Sequence, residues 1–266
     1  MSFINNSDTL DQHFLCDKNI INKFVDFCNI SREDVILEVG PGKGILTEIF
    51  CQKASKVICI ELDQRLKPYL DELMMNNPNL SVIYGNVLEE DLPNHTKLIT
   101  ALPYSIIEPF IYKLANEDYV DVTMIMGKRY VDAVINNEVS MLALLTNCFF
   151  DAKFGFDIAP DAFNPQPRVM SSVINLKSKE EKNISDPILR VFWWMFYYKD
   201  KKIKNALIES LIKAYQGLYN ITLTQNNCRE LISGLDENIL ENKFETCSND
   251  ELQVLYDKVR KIIKEK

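Results

Sequence analysis

Gly40, Gly42 and Gly44 are the residues whose type and spacing most directly imply chemistry. They follow the apolar run Val35 to Leu37 and the acid Glu38, and they lead into a helical pattern at Ile45, Leu46, Ile49 and Phe50. Strand, glycine turn and helix in that order open a nucleotide site at the carboxyl end of the first strand of a doubly wound α/β domain. Glycine is needed because the turn is tight and a ligand touches backbone where a Cβ would otherwise stand. Roughly 20 residues on, Glu61 ends a second apolar run, where a carboxylate can accept both hydroxyls of a ribose. Its other reading is a solvated acid after a strand. A dinucleotide fingerprint is Gly-x-Gly-x-x-Gly, and here the third glycine comes one residue early.

The elements that must position these residues alternate. Asp17 caps a helix with apolar positions at Ile20, Ile21, Phe24, Val25 and Cys28. Strands are expected at Val35–Leu37, Lys56–Ile60, Leu80–Tyr84, Lys97–Thr100 and Val122–Met126, with helices over 64–76, 106–115 and 128–135 between and after them. A further strand is expected around Leu144–Phe150, and the alternation of Val169, Ser171, Val173 and Asn175 indicates a late strand pair. Such alternation means a parallel-rich α/β sheet. The charged stretch 177–187, closed by Pro187, reads as a linker between a domain at 1–178 and a helical one at 188–266. Residues 1–11 are polar and read as poorly ordered.

Composition narrows the chemistry. With two histidines, His13 and His95, a histidine-based triad or a multi-histidine metal site is improbable. Seven scattered cysteines without Cys-x-x-Cys read as reduced thiols of a cytosolic protein. No apolar run reaches the roughly 18–20 residues of a membrane span, and no secretory signal is visible. The net charge of −8 disfavours nucleic acid, but it is uneven, −9 over residues 1–180 against +1 over 181–266. Lys199, Lys201, Lys202 and Lys204 concentrate positive charge locally and read either as a phosphate-binding patch or as one solvated helix face.

The Glu-x-Gly-x-Gly-x-Gly form resembles S-adenosylmethionine (SAM) methyltransferases, whose loop lies against the amino-acid and ribose parts of the cofactor. In that frame Asn86, after the third strand, bonds the adenine of the cofactor; the other reading is a turn-forming asparagine. Ala101-Leu-Pro-Tyr104 resembles the Asn-Leu-Pro-Tyr signature of enzymes that methylate the amino group of adenine. The exocyclic nitrogen is a poor nucleophile because its lone pair is delocalised. In such sites the asparagine side chain and a neighbouring carbonyl accept the amino hydrogens and hold the nitrogen in a more tetrahedral geometry. Pro103 stiffens the turn and Tyr104 stacks on the extruded base. Here Ala101 removes one acceptor while the Leu102 carbonyl and the Tyr104 ring remain, for an expected rate penalty of about 10²–10³.

Gln12-His-Phe-Leu15, the glycine loop, Ile60–Asp63, Gly85–Leu88, Leu102–Tyr104, Phe163-Asn-Pro-Gln-Pro-Arg-Val169 and Lys201–Leu207 occur in one order. On these motifs the chain resembles KsgA-type ribosomal RNA adenine dimethyltransferases, most of all their short archaeal members. The resemblance implies a Rossmann-like SAM-dependent methyltransferase domain with a small all-helical carboxyl-terminal domain. It further implies SAM as cofactor, small-subunit rRNA in a precursor subunit as partner, a monomer, and two adjacent adenosines methylated twice each on N6. His13, Leu15, Gly40, Gly42, Glu61, Asn86 and Ala101 then hold the cofactor, and Ala101, Leu102, Pro103, Tyr104 and Phe163 form the catalytic face. Phe163 supplies a second stacking surface, or is simply core. The departures are Asp11 for glycine, His13 for asparagine, Asn86 for aspartate, Ala101 for asparagine, and Lys128-Arg-Tyr130 for Gln-x-Glu. They keep a second class open, a non-catalytic RNA- or ribosome-binding protein. A small-molecule methyltransferase is a third.

Overall fold

The computed structural model describes residues 13–102 and 106–264. Asp11, Gln12, Pro103 and Tyr104 therefore lie outside the described residues. The chain divides into two compact units, the first formed by residues up to 132 with 152–177, the second by 133–151 with 178 onward.

The first unit is built on strands β1 (Phe14–Leu15), β2 (Val35–Val39), β3 (Lys56–Glu61), β4 (Leu80–Tyr84), β5 (Lys97–Thr100), β6 (Asp121–Gly127), β7 (Phe150–Ile158), β8 (Phe163–Asn164) and β9 (Ser171–Ser178). Helices α1 (Lys18–Cys28), α2 (Ile45–Lys53), α3 (Lys67–Asn76), α4 (Ile107–Leu114) and α5 (Lys128–Ile135) alternate with them. Seven strands form one sheet in the order β4-β3-β2-β5-β6-β9-β7. Neighbours from β4 to β6 are parallel, and β9 runs antiparallel to β6, with Gly127 opposite Ser171. From β2 the chain proceeds to β3 and β4 on one side, then returns to β5 and β6 on the other. The strand order therefore reverses between β2 and β5, which is where α/β sheets of this kind bind ligands.

Sequence explains the local choices. Asp17 caps α1 by accepting from the N–H groups of Asn19 and Ile20. Ile36, Leu37, Val57, Cys59, Leu98 and Ile99 are fully or almost fully buried, as parallel strands covered on both faces require. A second, two-stranded sheet pairs β1 with β8, setting Leu15 opposite Phe163 across 148 residues of chain.

The second unit is helical: α6 (Met141–Phe149), α7 (Pro187–Tyr197), α8 (Ile203–Tyr219), α9 (Gln225–Leu231), α10 (Glu237–Glu241) and α11 (Asn249–Lys264). Three expectations are corrected here. The strand expected at Leu144–Phe150 is helix α6, started by Ser140, and the strand begins only at Phe150. Ala143 to Cys148 are all buried, and a short apolar run buried all round has no period that distinguishes helix from strand. Residues 133–151 belong to the helical unit, so the amino-terminal domain is not continuous to residue 178. Nor is 177–187 a slack linker. Glu181 accepts from Arg190 Nε at 2.5 Å and from Trp194 Nε1 at 3.3 Å, and Ile184 is buried.

Candidate active site

The register of β2 against β5 sets Val39 beside Thr100, so the residues that follow, Gly40 and Ala101, leave the sheet side by side. Thr100 Oγ1 donates to the Val39 carbonyl at 2.8 Å and ties the two strand ends together. A cavity of about 270 Å³ opens there, in the first unit. His13, Leu15, Gly40, Gly42, Glu61, Asn86, Ala101, Leu102 and Phe163 all contribute to its wall, so nine expected residues from distant parts of the chain meet in one place.

The glycine loop is built as the spacing predicts. Gly40, Gly42 and Gly44 have φ of +72°, +61° and +83°, a region that side-chain-bearing residues rarely adopt. A Cβ on Gly42 would stand 2.8 Å from the Phe14 ring, and one on Gly44 would collide with Leu73. Around Gly40 a Cβ would meet only Leu102, at 3.7 Å, so the demand for glycine there is conformational.

Glu61 is buried and points back at the loop. Its Oε2 accepts from the Gly42 N–H at 3.1 Å and its Oε1 from the Asp63 N–H at 2.7 Å. Burial raises its pKa despite these donors. Glu38 is buried too and accepts from Thr47 Oγ1 at 2.6 Å and Cys59 Sγ at 3.6 Å. Burial, with Glu61 nearby, pushes its pKa up to about 7. Besides His13, the ionisable lining is three acids, Glu38, Glu61 and Asp63, against Lys43 alone. That balance suits a hydroxylated ligand carrying positive charge and opposes a diphosphate.

Asn86 makes the turn and stands at the cavity. Its Oδ1 accepts from the Leu88 N–H at 3.1 Å and its Nδ2 donates to Glu89 at 3.0 Å, which makes the turn, and it also lines the cavity. Phe163 is only 5% exposed and belongs to the core cluster, and it also lines the cavity. His13 reaches the Pro165 carbonyl through Nδ1 at 2.8 Å, which fastens the Phe163–Val169 motif to the amino-terminal strand.

The lysines expected to bind RNA lie in the other unit. Lys201 is paired with Glu209 at 2.6 Å and Lys202 with Glu241 at 2.5 Å, so the run is not a bare basic patch. At the Gln-x-Glu position, Lys128 is held by Asp132 at 2.9 Å and Asp157 at 3.1 Å. Sequence reasoning missed Glu38, Lys43, Asp63, Ile125 and Ser171 as cavity residues. Glu38 and Asp63 had a readable signal, an acid at or just past a strand end; Ile125 and Ser171 reach the cavity only through the strand order.

The family model described as ribosomal RNA adenine dimethylase matches residues 4–229. The chain belongs to that family. It is 32% identical over 250 residues to the probable ribosomal RNA small subunit methyltransferase A of Methanococcoides burtonii, covering 91% of this chain and 89% of that one. The protein of the same name from Methanococcus aeolicus is 30% identical over 96% of both chains. Among solved structures, a dimethyladenosine transferase from Plasmodium falciparum superposes with a TM-score of 0.62 at 22% identity, over 93% of this chain and 98% of that one. The 23S rRNA methyltransferase ErmE does so at 0.60 and 20% identity, over 93% and 99%. These two establish the Rossmann-like methyltransferase fold. Membership favours the enzyme over the non-catalytic binding protein. Among the described residues no helix is long and apolar enough to cross a membrane.

Proposed function

We propose that this protein transfers methyl groups from SAM to the N6 amino groups of adenosines in small-subunit rRNA, acting on a precursor subunit in the cytoplasm. One observation carries the reading: the glycine loop with Glu61 and the Ala101–Leu102 turn with Phe163 share one cavity at the reversal of strand order.

The residues present fit the cofactor. Glycine backbone at Gly40 and Gly42 leaves room for close approach, Glu61 accepts the ribose hydroxyls, and Asn86 faces the base through the capacity its turn leaves over. Glu38 and Glu61 place two buried carboxyls at a pocket whose ligand carries an ammonium and a sulfonium. When bound, SAM supplies an electrophilic methyl group. The chain orients the acceptor: the Leu102 carbonyl takes one amino hydrogen, and Phe163 bounds the flipped base. No general base is required during transfer, because the amino proton becomes acidic only once nitrogen has been alkylated. Activation by orientation therefore matters more here than proton abstraction. The helical unit supplies contacts to the rest of the RNA.

Incubation with labelled SAM and unmethylated small or large ribosomal subunits tests this. Label in N6-dimethyladenosine of the small subunit is expected. Label confined to the large subunit, or no cofactor binding by calorimetry, would overturn it.

A further inference from the structure

The cavity wall around position 101 is apolar on three sides. Thr100 is paired with Val39 on one neighbouring strand and with Met124 on the other. Ala101, the next residue, therefore leaves the sheet between Gly40 and Ile125, and all three line the cavity. Ile125 is buried, and Ala101 packs against the core cluster to which Ile125 belongs. A glycine, a methyl and a branched aliphatic chain offer nothing that accepts a hydrogen bond through a side chain.

The polar side chains of the lining are committed elsewhere. Thr100 Oγ1 donates to the Val39 carbonyl, His13 reaches the Pro165 carbonyl, and Asn86 holds its own turn. Glu38 accepts from Thr47 and Glu61 from the Gly42 and Asp63 N–H groups. Ser171 is on β9, which lies beyond β6, so it stands two strands from Ala101, about 10 Å across the sheet. What is left for an amino group beside Ala101 is the Leu102 carbonyl.

An adenine amino group has two hydrogens, so one of them would face Ala101 unpaired. Leaving a buried N–H without an acceptor costs roughly 5- to 150-fold. Once a methyl has been added, the count changes. N6-monomethyladenosine has a single amino hydrogen, which the Leu102 carbonyl takes, and its methyl group meets apolar surface where the second hydrogen met no acceptor. We infer that Ala101 is a specificity-determining residue that makes N6-monomethyladenosine a better acceptor than adenosine, so that the second methyl transfer is the faster one. In that transfer the N–C bond forms as the sulfonium C–S bond breaks, the cofactor leaves as its thioether, and the last amino proton passes to water. The inference rests on the reaction proposed above and deepens it by ranking its two steps.

The test follows both products in single turnover, with full-length protein and SAM in excess over unmethylated small ribosomal subunits. Samples are quenched and digested to nucleosides, so bound and released intermediates are counted alike. The second transfer should outrun the first by about tenfold or more, which keeps N6-monomethyladenosine below about a tenth of the sites at its peak. Ala101→Ser adds an acceptor at nearly the same volume. Ala101→Asn adds one and also fills the space of the first methyl. The monomethyl peak should rise in Ala101→Ser and rise further in Ala101→Asn, to roughly a third of the sites or more. Melting curves recorded in parallel show that each variant is folded. A monomethyl peak as high in the unaltered protein as in both variants, or one that falls in Ala101→Asn, would overturn the inference and leave the reaction standing. Absence of transfer to small subunits by all three proteins would instead overturn the reaction itself.

Discussion

The two ends of the cavity are built to different standards. At the cofactor end each element is fixed more than once. The glycine loop is set by three positive φ angles, by the Phe14 ring over Gly42 and by Leu73 against Gly44, and Glu61 is gripped by two backbone N–H groups. At the proposed acceptor end, the position that this reading assigns to an amide acceptor carries only the methyl of Ala101, and the reading leaves the backbone carbonyl of Leu102 to act. The first end is specified by backbone geometry, which few substitutions satisfy. The second depends on one side-chain amide, which a single substitution removes without disturbing the fold. Binding of cofactor and rate of transfer should therefore come apart in this protein.

That separation can be broken most severely at Phe163, which belongs to both core and cavity. Phe163→Ala should cost about 3–5 kcal/mol of stability, read from the urea midpoint, whether or not RNA is present. A loss of activity with full stability would instead make it a pure substrate contact. If Glu61 accepts the ribose hydroxyls as proposed, Glu61→Ala should weaken SAM binding by about 1.5–3 kcal/mol, roughly 10- to 150-fold by calorimetry, because such bonds are charge-assisted. The same change at the acceptor end, Leu102→Ala, keeps the carbonyl and should leave cofactor affinity nearly unchanged.

A subtler sharpening uses pH. Burial holds the Glu38 carboxyl at about 7 in the folded protein, above its usual 4.5. Between those values the unfolded chain has already released the proton that the folded chain retains, so stability falls as pH rises through that window. Glu61, also raised by burial, adds to the same slope. Glu38→Gln should flatten the decline in melting temperature between about pH 5 and pH 7. An unchanged slope would show that Glu38 is not the titrating group.

The cofactor end was legible in sequence because its requirements are local. Glycine at fixed spacing, an acid ending the next strand, and a strand-to-helix switch of period all lie within 27 residues, from Val35 to Glu61. The meeting of Leu15 with Phe163 was foreshadowed only by motif order, since it depends on a two-stranded pairing between chain segments far apart. Ser171 and Ile125 gave no signal, because they reach the cavity only through the strand order, which sets β6 beside β5 and β9 antiparallel beside β6. Helix α6 was misread because uniform burial erases periodicity. The lysine run read either as a phosphate-binding patch or as one solvated face, and nothing in the sequence signalled that Glu209 and Glu241 neutralise two of its members.

The most direct test is a single-turnover comparison of methyl transfer by the unaltered protein and by Ala101→Asn, with saturating SAM and unmethylated small subunits. Restoring the missing acceptor should raise the rate by about 10²–10³ while the dissociation constant for SAM stays the same. An unchanged or lower rate would contradict the account, because it would mean that the acceptor end is already complete without an amide at position 101.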